Sequence, residues 1–334
     1  MAGAEGGDAS GVTAVIGGSG FVGRAVMRQL AERGEPAVNV DVVPPGPEVP
    51  GPYRHADITR PDTLPAALMD AHHVLLLAAE WRDNVRPRSR YREVNVDGVA
   101  NVIAACREIG IRRLVFVSSC SVYGPTPGEV DEDFAGRPIN PYGESKAEGE
   151  RLLRSWAAAE PDVALVIVRP TVIFGPGNRG NVWNLANQVV NGPFLMIGDG
   201  GNRKSMAYVE NVAAFLLFVR GLDPGVHVFN YADKPDMSMN ELVAFIRAET
   251  GLRPRTDLRL PRSAALAAGR LFDAASRVLG REFGITSERI FKFCANTQYS
   301  AERARQAGFV PPYDLREGLR RMLRAEFGMG PGRA

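Results

Sequence analysis

The chain contains few cysteines and histidines. Its three cysteines (Cys106, Cys120 and Cys294) and four histidines show neither the CxxC nor the HxxxH spacing. Paired cysteines at regular spacings mark disulfide frameworks, and closely spaced Cys and His residues mark zinc sites. The sequence therefore predicts neither a disulfide framework nor a metal site, and it favours a reducing, cytoplasmic setting.

Long apolar runs and an excess of one charge sign are also absent. The apolar runs fall far short of the roughly 20 residues that a membrane-spanning helix needs. The 40 basic and 38 acidic residues leave a net charge of +2, so neither a nucleic acid nor a membrane is predicted as a partner. Residues 1–11 have no basic region followed by an apolar one, and they are predicted to form a flexible tail rather than a signal peptide.

What the first half does contain is an alternation of short apolar runs and longer amphipathic stretches. Short, continuously apolar runs suit strands that are buried on both faces of a parallel sheet. Such strands alternating with helices indicate βαβ units and a doubly wound α/β fold. The predicted strands are Val12–Gly17, Ala37–Val43, Val74–Ala79, Leu114–Ser118 and Ala164–Val168, and the predicted helices are Phe21–Arg33, Tyr91–Gly110 and Tyr142–Ala159.

A glycine-rich turn joins the first predicted strand to the first helix. Gly17, Gly20 and Gly23 follow a G-x-x-G-x-x-G pattern there. Glycines let the chain turn tightly and let backbone N–H groups, here including those of Phe21 and Val22, approach a pyrophosphate at a helix N-terminus. Because the pattern lies between a strand and a helix, it predicts a dinucleotide-binding turn.

Asp41 ends the second predicted strand, eighteen residues after Gly23. A carboxylate at this place accepts hydrogen bonds from ribose hydroxyls and repels a 2′-phosphate, which favours NAD over NADP. Asp57 is a candidate contact for the adenine, although an ordinary loop aspartate is nearly as good an interpretation. Ala78 and Ala79, at the end of the strand Val74–Ala79, complete the predicted cofactor site.

Two further motifs follow in order, "VSSCSVYG" and "PYGESK". With the glycine turn, they make the chain similar to the extended short-chain dehydrogenase/reductase superfamily, and within it to the NAD-dependent epimerase/dehydratase group. The likeness covers roughly Val12 to Phe327. It implies a Rossmann domain over residues 12–170 and a smaller α/β substrate-binding lobe over 171–334, with some segments of that lobe returning to the sheet.

The resemblance also implies catalytic roles for Ser119, Tyr142 and Lys146. Spacing alone does not, because Tyr142 and Lys146 stand one helical turn apart, as any i,i+4 pair does. In the family, the tyrosine exchanges a proton with the substrate carbinol, the lysine holds the nicotinamide ribose, and the serine hydrogen-bonds the reacting oxygen. A free tyrosine titrates near pH 10, about three units too high for a base at neutral pH. A nearby lysine ammonium is expected to lower that pKa.

Departures from the family pattern restrict the range of activities that the sequence predicts. Cys120 and Ser121 replace the acidic pair of sugar 4,6-dehydratases, so that reaction is not expected. Val172 replaces an asparagine of many sugar-nucleotide epimerases, and "RPTVIFGPG" resembles the 3β-hydroxysteroid dehydrogenase branch. The side chains predicted to contact substrate are those of Ser119, Cys120, Ser121, Asn178, Arg203 and Lys204. The last two either neutralise a diphosphate or form a solvated basic turn.

The function that the sequence favours is NAD-dependent epimerisation or oxidation of a secondary alcohol on a nucleotide-linked sugar. The alternatives are a net 3β-hydroxysteroid dehydrogenase-like or 4-keto-sugar reductase activity and, third, a non-catalytic NAD(H)-binding protein. The resemblance further implies a homodimer, in which the helices Tyr91–Gly110 and Tyr142–Ala159 pair with their copies in a four-helix interface.

Overall fold

A computed structural model of the chain describes residues 10–82, 85–253, 258–279, 290 and 293–328. The strands are β1 Val12–Ile16, β2 Ala37–Asp41, β3 Tyr53–His55, β4 Ala71–Leu76, β5 Arg113–Val117, β6 Ala164–Pro170, β7 Val172–Phe174, β8 Leu195–Ile197, β9 Arg203–Tyr208, β10 Gly225–Tyr231, β11 Asp233–Ser238 and β12 Leu258–Leu260. The helices are α1 Phe21–Glu32, α2 Leu64–Leu68, α3 Ser89–Arg92, α4 Gly98–Ile109, α5 Pro141–Ala159, α6 Asn181–Asn191, α7 Val209–Val219, α8 Met239–Glu249, α9 Arg262–Leu279, α10 Glu302–Gln306 and α11 Leu315–Phe327.

Within the described part of the chain, seven parallel strands form the main sheet in the order β10-β6-β5-β4-β1-β2-β3. Its middle strands are almost wholly buried, because their apolar side chains face helices on both sides. The predicted doubly wound parallel sheet is therefore confirmed. The carboxyl ends of parallel strands meet at one edge, so the turns after β1, β2, β4 and β5 bring their polar residues to that edge.

Two strands of this sheet, β3 and β10, are not among the strands predicted from the apolar runs of the first half. β3 lies at one edge of the sheet, where its three residues pair with β2. β10 comes from the second half and pairs with β6 along its whole length, from Gly225 against Ala164 to Tyr231 against Pro170. β4 also starts earlier than the predicted strand Val74–Ala79, since His72 and His73 lie in it, and His73 is buried.

The long helix predicted as Tyr91–Gly110 begins at Ser89 and contains an irregular turn. Its first residues are α-helical, the turn Glu93–Asp97 has π-helical hydrogen bonding, and α4 continues from Gly98. Gly110 then ends it in the left-handed conformation, at a φ of 87°. A π turn carries one extra residue and rotates the side chains around it, which apolar periodicity does not reveal.

The chain divides into two compact units. The first comprises residues 1–173, 207–233 and 299–314, and contains the main sheet. The second comprises residues 174–206, 234–298 and 315–334, and contains the parallel pair of β8 and β12 and the helices α6, α8, α9 and α11. None of the helices in the described ranges is both long and apolar enough to span a bilayer.

Candidate active site

The glycine turn between β1 and α1 is packed too closely on neighbouring backbone to hold side chains at Gly17 and Gly23. Gly17 has a φ of +92°, and a Cβ placed on it would lie 2.7 Å from the backbone nitrogen of Ala78. A Cβ on Gly23 would lie 2.2 Å from the Gly17 carbonyl oxygen. Gly17 therefore permits the turn, and Gly23 lets the first turn of α1 pack directly on the loop.

The N-terminus of α1 has free backbone donors. Gly20 is the N-cap residue, no side chain caps it, and no acidic residue lies in the first turn. The first N–H groups of a helix have no partner within the helix, and the helix dipole favours an anion beside them. The Gly20 N–H donates to the Gly17 carbonyl at 3.1 Å, so the N–H groups of Phe21 and Val22 are the ones placed where they can hold a pyrophosphate.

Asp41 lies at the carboxyl end of β2 and orders the loop in front of it. Its Oδ2 accepts a hydrogen bond of 3.0 Å from the Ser19 backbone N–H, and its Oδ1 accepts one of 3.0 Å from the Val43 N–H. Each oxygen keeps a second lone pair for another donor. Asp41 consequently does more than the sequence suggests, since it also fastens the glycine turn to the end of β2.

The other predicted cofactor residues lie around the same sheet edge or close to it. The Ala78 N–H donates to the carbonyl of Ile16 at 2.9 Å, which keeps the turn after β4 beside the glycine turn, and Ala79 follows it in the chain. Asp57 is half-buried, and its Oδ1 accepts two 2.8 Å hydrogen bonds from Thr59, which form a local turn. That placement agrees with the simpler interpretation of Asp57, and a contact with adenine stays a prediction.

Tyr142 and Ser119 come together from α5 and the end of β5. The side chain of Asn140 caps α5 by accepting from the Gly143 N–H at 2.7 Å, and Pro141 occupies the first helical position. This start fixes Tyr142 in the first turn of α5. Burial raises the pKa of Tyr142 to about 12, and a hydrogen bond with Ser119 opposes that rise.

Lys146 lies one turn further along α5 and is 1% exposed. Its Nζ lies 4.0 Å from the centroid of the Phe116 ring on β5, a distance that allows a cation–π interaction. Burial lowers the pKa of Lys146 to about 7, while the nearby charge of Glu150 opposes that fall. The sequence predicts that Lys146 lowers the pKa of Tyr142. In the structure, burial instead raises the Tyr142 pKa, since removal from water penalises the phenolate.

The structure also contains a buried ion pair, between Glu150 and Arg169, that the sequence does not predict. Glu150, one turn after Lys146, accepts hydrogen bonds from Arg169 Nε at 2.9 Å and from Nη2 at 2.6 Å, and another from Ser118 Oγ at 2.6 Å. Arg169 Nη1 donates to Tyr123 Oη at 2.8 Å. Two-point pairing of a buried arginine and carboxylate is directional, so this network fixes α5 to β5 and β6.

Asn95 also has a role near this site that the sequence does not predict. It lies in the π turn, is 1% exposed, and both accepts from the Glu80 N–H and donates to the Glu80 carbonyl. Its Nδ2 also lies 2.9 Å from Ser145 Oγ, beside Lys146 in the chain. Asn95 thereby ties the loop after β4 to α5. A π turn often occurs at functional sites, but only the structure reveals this one.

The candidate substrate residues of the first unit separate into two sets. Ser119 Oγ and Ser121 Oγ lie 3.1 Å apart, and Ser119 also accepts from the Ser121 N–H. Cys120 is instead 4% exposed and packs in a cluster with Val122 and Tyr123. Its thiol donates to the Arg169 carbonyl. The structure therefore brings Ser121, and not the Cys120 side chain, together with Ser119.

Asn178, Arg203 and Lys204 belong to the second unit. Asn178 lies in a turn, where its N–H donates to the Gly175 carbonyl. Arg203 Nη1 donates to the Asp236 carbonyl at 2.7 Å and lies 3.7 Å from Glu241. Lys204 Nζ donates to the Ala295 carbonyl, and burial lowers its pKa to about 8. These contacts are local to that unit, so diphosphate binding by the two cations stays a prediction.

The residues present fit a dinucleotide. The backbone around Gly17 and Gly23 is too close for any side chain, no side chain caps the N-terminus of α1, and Asp41 is oriented at the end of β2. Pyrophosphate and ribose are the groups that such donors and such a carboxylate bind. Among the described residues, no three of His, Cys, Asp or Glu are grouped so that they could hold a metal ion.

Comparison with known proteins identifies the family. The profile of the NAD dependent epimerase/dehydratase family matches residues 13–231. The chain is 41% identical to the N-acetyl-alpha-D-glucosaminyl-diphospho-ditrans,octacis-undecaprenol 4-epimerase of Escherichia coli O157:H7, over 94% of each chain. It is 32% identical to the 2-alkyl-3-oxoalkanoate reductase of Stenotrophomonas maltophilia, over 92% of this chain and 97% of the other.

The structure is also similar to that of MoeE5 in complex with UDP-glucose and NAD. That likeness has a TM-score of 0.73 at 27% identity, and covers 94% of this chain and 98% of the other. The predicted family and cofactor are both confirmed. The chain belongs to the NAD-dependent epimerase/dehydratase family and is an NAD-dependent enzyme.

Proposed function

We propose that the protein is an NAD-dependent 4-epimerase of a sugar carried on a diphosphate, and that the carrier is a polyprenol. The observation that carries this proposal is the 41% identity, over 94% of both chains, to an epimerase whose name specifies N-acetylglucosaminyl-diphospho-undecaprenol. The sequence alone favours a nucleotide carrier. The relatives that bind UDP-sugars support that choice at lower identity, 27% for MoeE5, so we place the lipid carrier first.

The first step of the proposed reaction is removal of a proton from the sugar hydroxyl. Tyr142 accepts that proton, and Ser119, which hydrogen-bonds the phenol, holds the reacting oxygen beside it. With a pKa of about 12, Tyr142 rests in its protonated form at neutral pH. Before it can accept the substrate proton, Tyr142 must therefore release its own proton to solvent, and a positive charge must favour the resulting phenolate when substrate is bound. Lys146, one turn along α5, is our candidate for that charge.

When bound, NAD supplies a reversible acceptor for the hydrogen on the sugar carbon. The chain's residues do the rest: the α1 N–H groups and Asp41 hold the cofactor, and Lys146 holds its nicotinamide ribose. Tyr142 then returns its proton to the same oxygen. The carbon would be inverted if the hydride taken from it came back to its opposite face, and neither a proton nor an electron pair would then be gained or lost overall. No acidic pair follows Ser119, since Cys120 and Ser121 occupy those positions, and elimination of water has no acid and base there.

The proposal is tested by offering three substrates with catalytic amounts of NAD: N-acetylglucosaminyl-diphospho-undecaprenol, UDP-N-acetylglucosamine and UDP-glucose. The sugar is released by mild acid and its configuration at C4 is determined by chromatography. We expect inversion at C4 in the lipid-linked sugar, at a kcat/KM at least tenfold above that for either UDP-sugar, with no net change in absorbance at 340 nm. Tyr142→Phe is the matched inactive variant.

Two results would contradict the proposal in different ways. Faster inversion of a UDP-sugar would assign a nucleotide carrier. Stoichiometric loss of NADH with a 3-oxo substrate, and no inversion of any sugar, would assign a net reductase. The net-reductase outcome is included because the reductase relative matches 92% of this chain, close to the 94% matched by the epimerase relative.

A further inference from the structure

Helix α9 in the second unit carries apolar side chains on its outer face. Leu271 is 73% exposed and Phe272 38% exposed. Ala264 and Ala267 are also exposed and lie on the same side as Leu271, at helical spacings of three and four residues, whereas Ala265 and Gly269 are buried. Leu258, in the strand β12 just before the helix, is 76% exposed. The buried positions hold α9 to its unit, and Ala264, Ala267 and Leu271 on the other side are exposed.

Arginines accompany this apolar face. Arg262 and Arg270 are exposed on α9, and the stretch from Leu258 to Phe272 has no acidic residue. Residues 251–292 contain nine basic and four acidic residues, although the whole chain is nearly neutral. The small net charge of the chain therefore conceals a local basic excess. A helix that combines an exposed apolar stripe with arginines is typical of segments that lie in a membrane interface.

We propose that the outer face of α9, together with Leu258, docks the protein on an anionic lipid bilayer. The inference rests on the proposed function. A polyprenyl diphosphate keeps its hydrocarbon tail in the bilayer, and no helix in the described ranges can span one, so the enzyme must come to the membrane surface. Leu271 and Leu258 enter the headgroup region, while Arg262 and Arg270 contact anionic headgroups. A second copy fits this face less well, because isologous pairing would bring like charges together.

The test is cosedimentation of the full-length protein with vesicles, without any sugar substrate. Vesicles of phosphatidylcholine alone are compared with vesicles that also contain about 30% phosphatidylglycerol. The double variant Leu258→Ser, Leu271→Ser is expected to lower the partition coefficient at least tenfold. Arg270→Glu should weaken binding several-fold at low salt and much less at high salt, since salt screens the headgroup charge.

Matched controls come from exposed residues of the first unit. Val310 is 81% exposed, and Val310→Ser should bind vesicles as the wild type does. Arg305→Glu changes an exposed helical arginine without touching α9, α4 or α5. The proposal is overturned if wild-type protein stays in the supernatant with anionic vesicles, or if the α9 variants and the controls bind equally. It is also overturned if the α9 variants change only the sedimentation of the free protein, which would assign a second copy to this face.

Because vesicle binding is measured without substrate, one experiment can overturn the docking proposal and another can overturn the proposed substrate, each independently of the other. Vesicle binding that depends on α9, combined with activity on UDP-sugars only, would support docking and overturn the lipid-linked substrate. If both proposals hold, the α9 variants should lose activity on substrate embedded in vesicles and keep activity on UDP-N-acetylglucosamine, since α9 contributes none of the proposed catalytic residues.

Discussion

Tyr142 and Lys146 are both shifted toward their uncharged forms by burial. The pKa of Tyr142 rises to about 12 and that of Lys146 falls to about 7. With these two shifts the proton stays on the phenol at neutral pH. Tyr142 can act as a base only if binding of cofactor and substrate favours the ionised forms of this pair.

Replacement of Tyr142 by Phe tests its proposed role directly. The change removes only the phenolic oxygen, so fold and NAD affinity should remain. Loss of a positioned proton-transfer group is expected to slow the chemical step by about 10²–10⁴-fold. Ser119→Ala should cost less, because it removes one neutral hydrogen bond. Both rates are measured in single-turnover experiments with saturating NAD, and an unchanged rate in Tyr142→Phe would remove that residue from the mechanism.

The buried lysine should also make stability depend on pH. Its pKa falls from 10.5 to about 7 on folding, so between these values the unfolded chain holds a proton that the folded chain lacks. The free energy of unfolding should therefore rise as pH increases through this range. Lys146→Met should make the rise shallower without abolishing it, because Lys204 is shifted in the same direction. Urea titrations at intervals from about pH 6.5 to 9.5 measure how steeply the free energy of unfolding changes with pH in the wild type and in Lys146→Met. Equal slopes would show that Lys146 keeps its ordinary pKa.

At the scale of elements, the strands that could be predicted were those with their own apolar run. β1, β2, β5 and β6 lie where such runs occur. β3 has the sequence "YRH" and exists because it pairs with β2 at the edge, which only the assembled sheet determines. The site residues likewise fall into those that the sequence predicts and those that it does not. The glycine turn and Tyr142 lie in local motifs, whereas the Glu150–Arg169 pair joins residues nineteen positions apart and leaves no local pattern.

The junction of the glycine turn and α1 gives an element-scale prediction. In Gly23→Ala, the new Cβ would lie 2.2 Å from the Gly17 carbonyl oxygen, so α1 must move away from the turn. We expect a loss of about 1–3 kcal/mol in the free energy of unfolding, as for other overpacked sites, and at least tenfold weaker NAD binding. Gly128→Ala is the control, because a Cβ there meets nothing within 4 Å.

Thermal melts and NAD titrations of the two variants provide the comparison. If Gly23→Ala binds NAD as tightly as Gly128→Ala does, the close packing of α1 on the turn has no part in cofactor binding. A loss of stability without a loss of NAD affinity would assign Gly23 to folding alone.

At the scale of the whole molecule, the fold and the cofactor follow from the sequence more surely than the substrate does. An epimerase and a reductase each match this chain over more than nine tenths of its length. The same sheet and glycine turn therefore serve different net reactions, which are decided by the groups that meet the substrate. The local basic excess around α9 is likewise hidden in the near-zero net charge of the chain.

We propose, finally, that the protein is a homodimer in which α4 and α5 pack against their copies, as the family resemblance implies. Ala100 and Ala104 are exposed on α4, and small residues on an outer helix face allow another helix to approach closely. Ala104→Arg places a bulky charge on that face and, repeated by the two-fold axis, brings two like charges together. It should convert the dimer to a monomer at micromolar concentration in light scattering. Ala267→Arg, an equal change on α9, should leave the dimer intact. A wild-type monomer, or dissociation by Ala267→Arg alone, would contradict the α4–α5 interface.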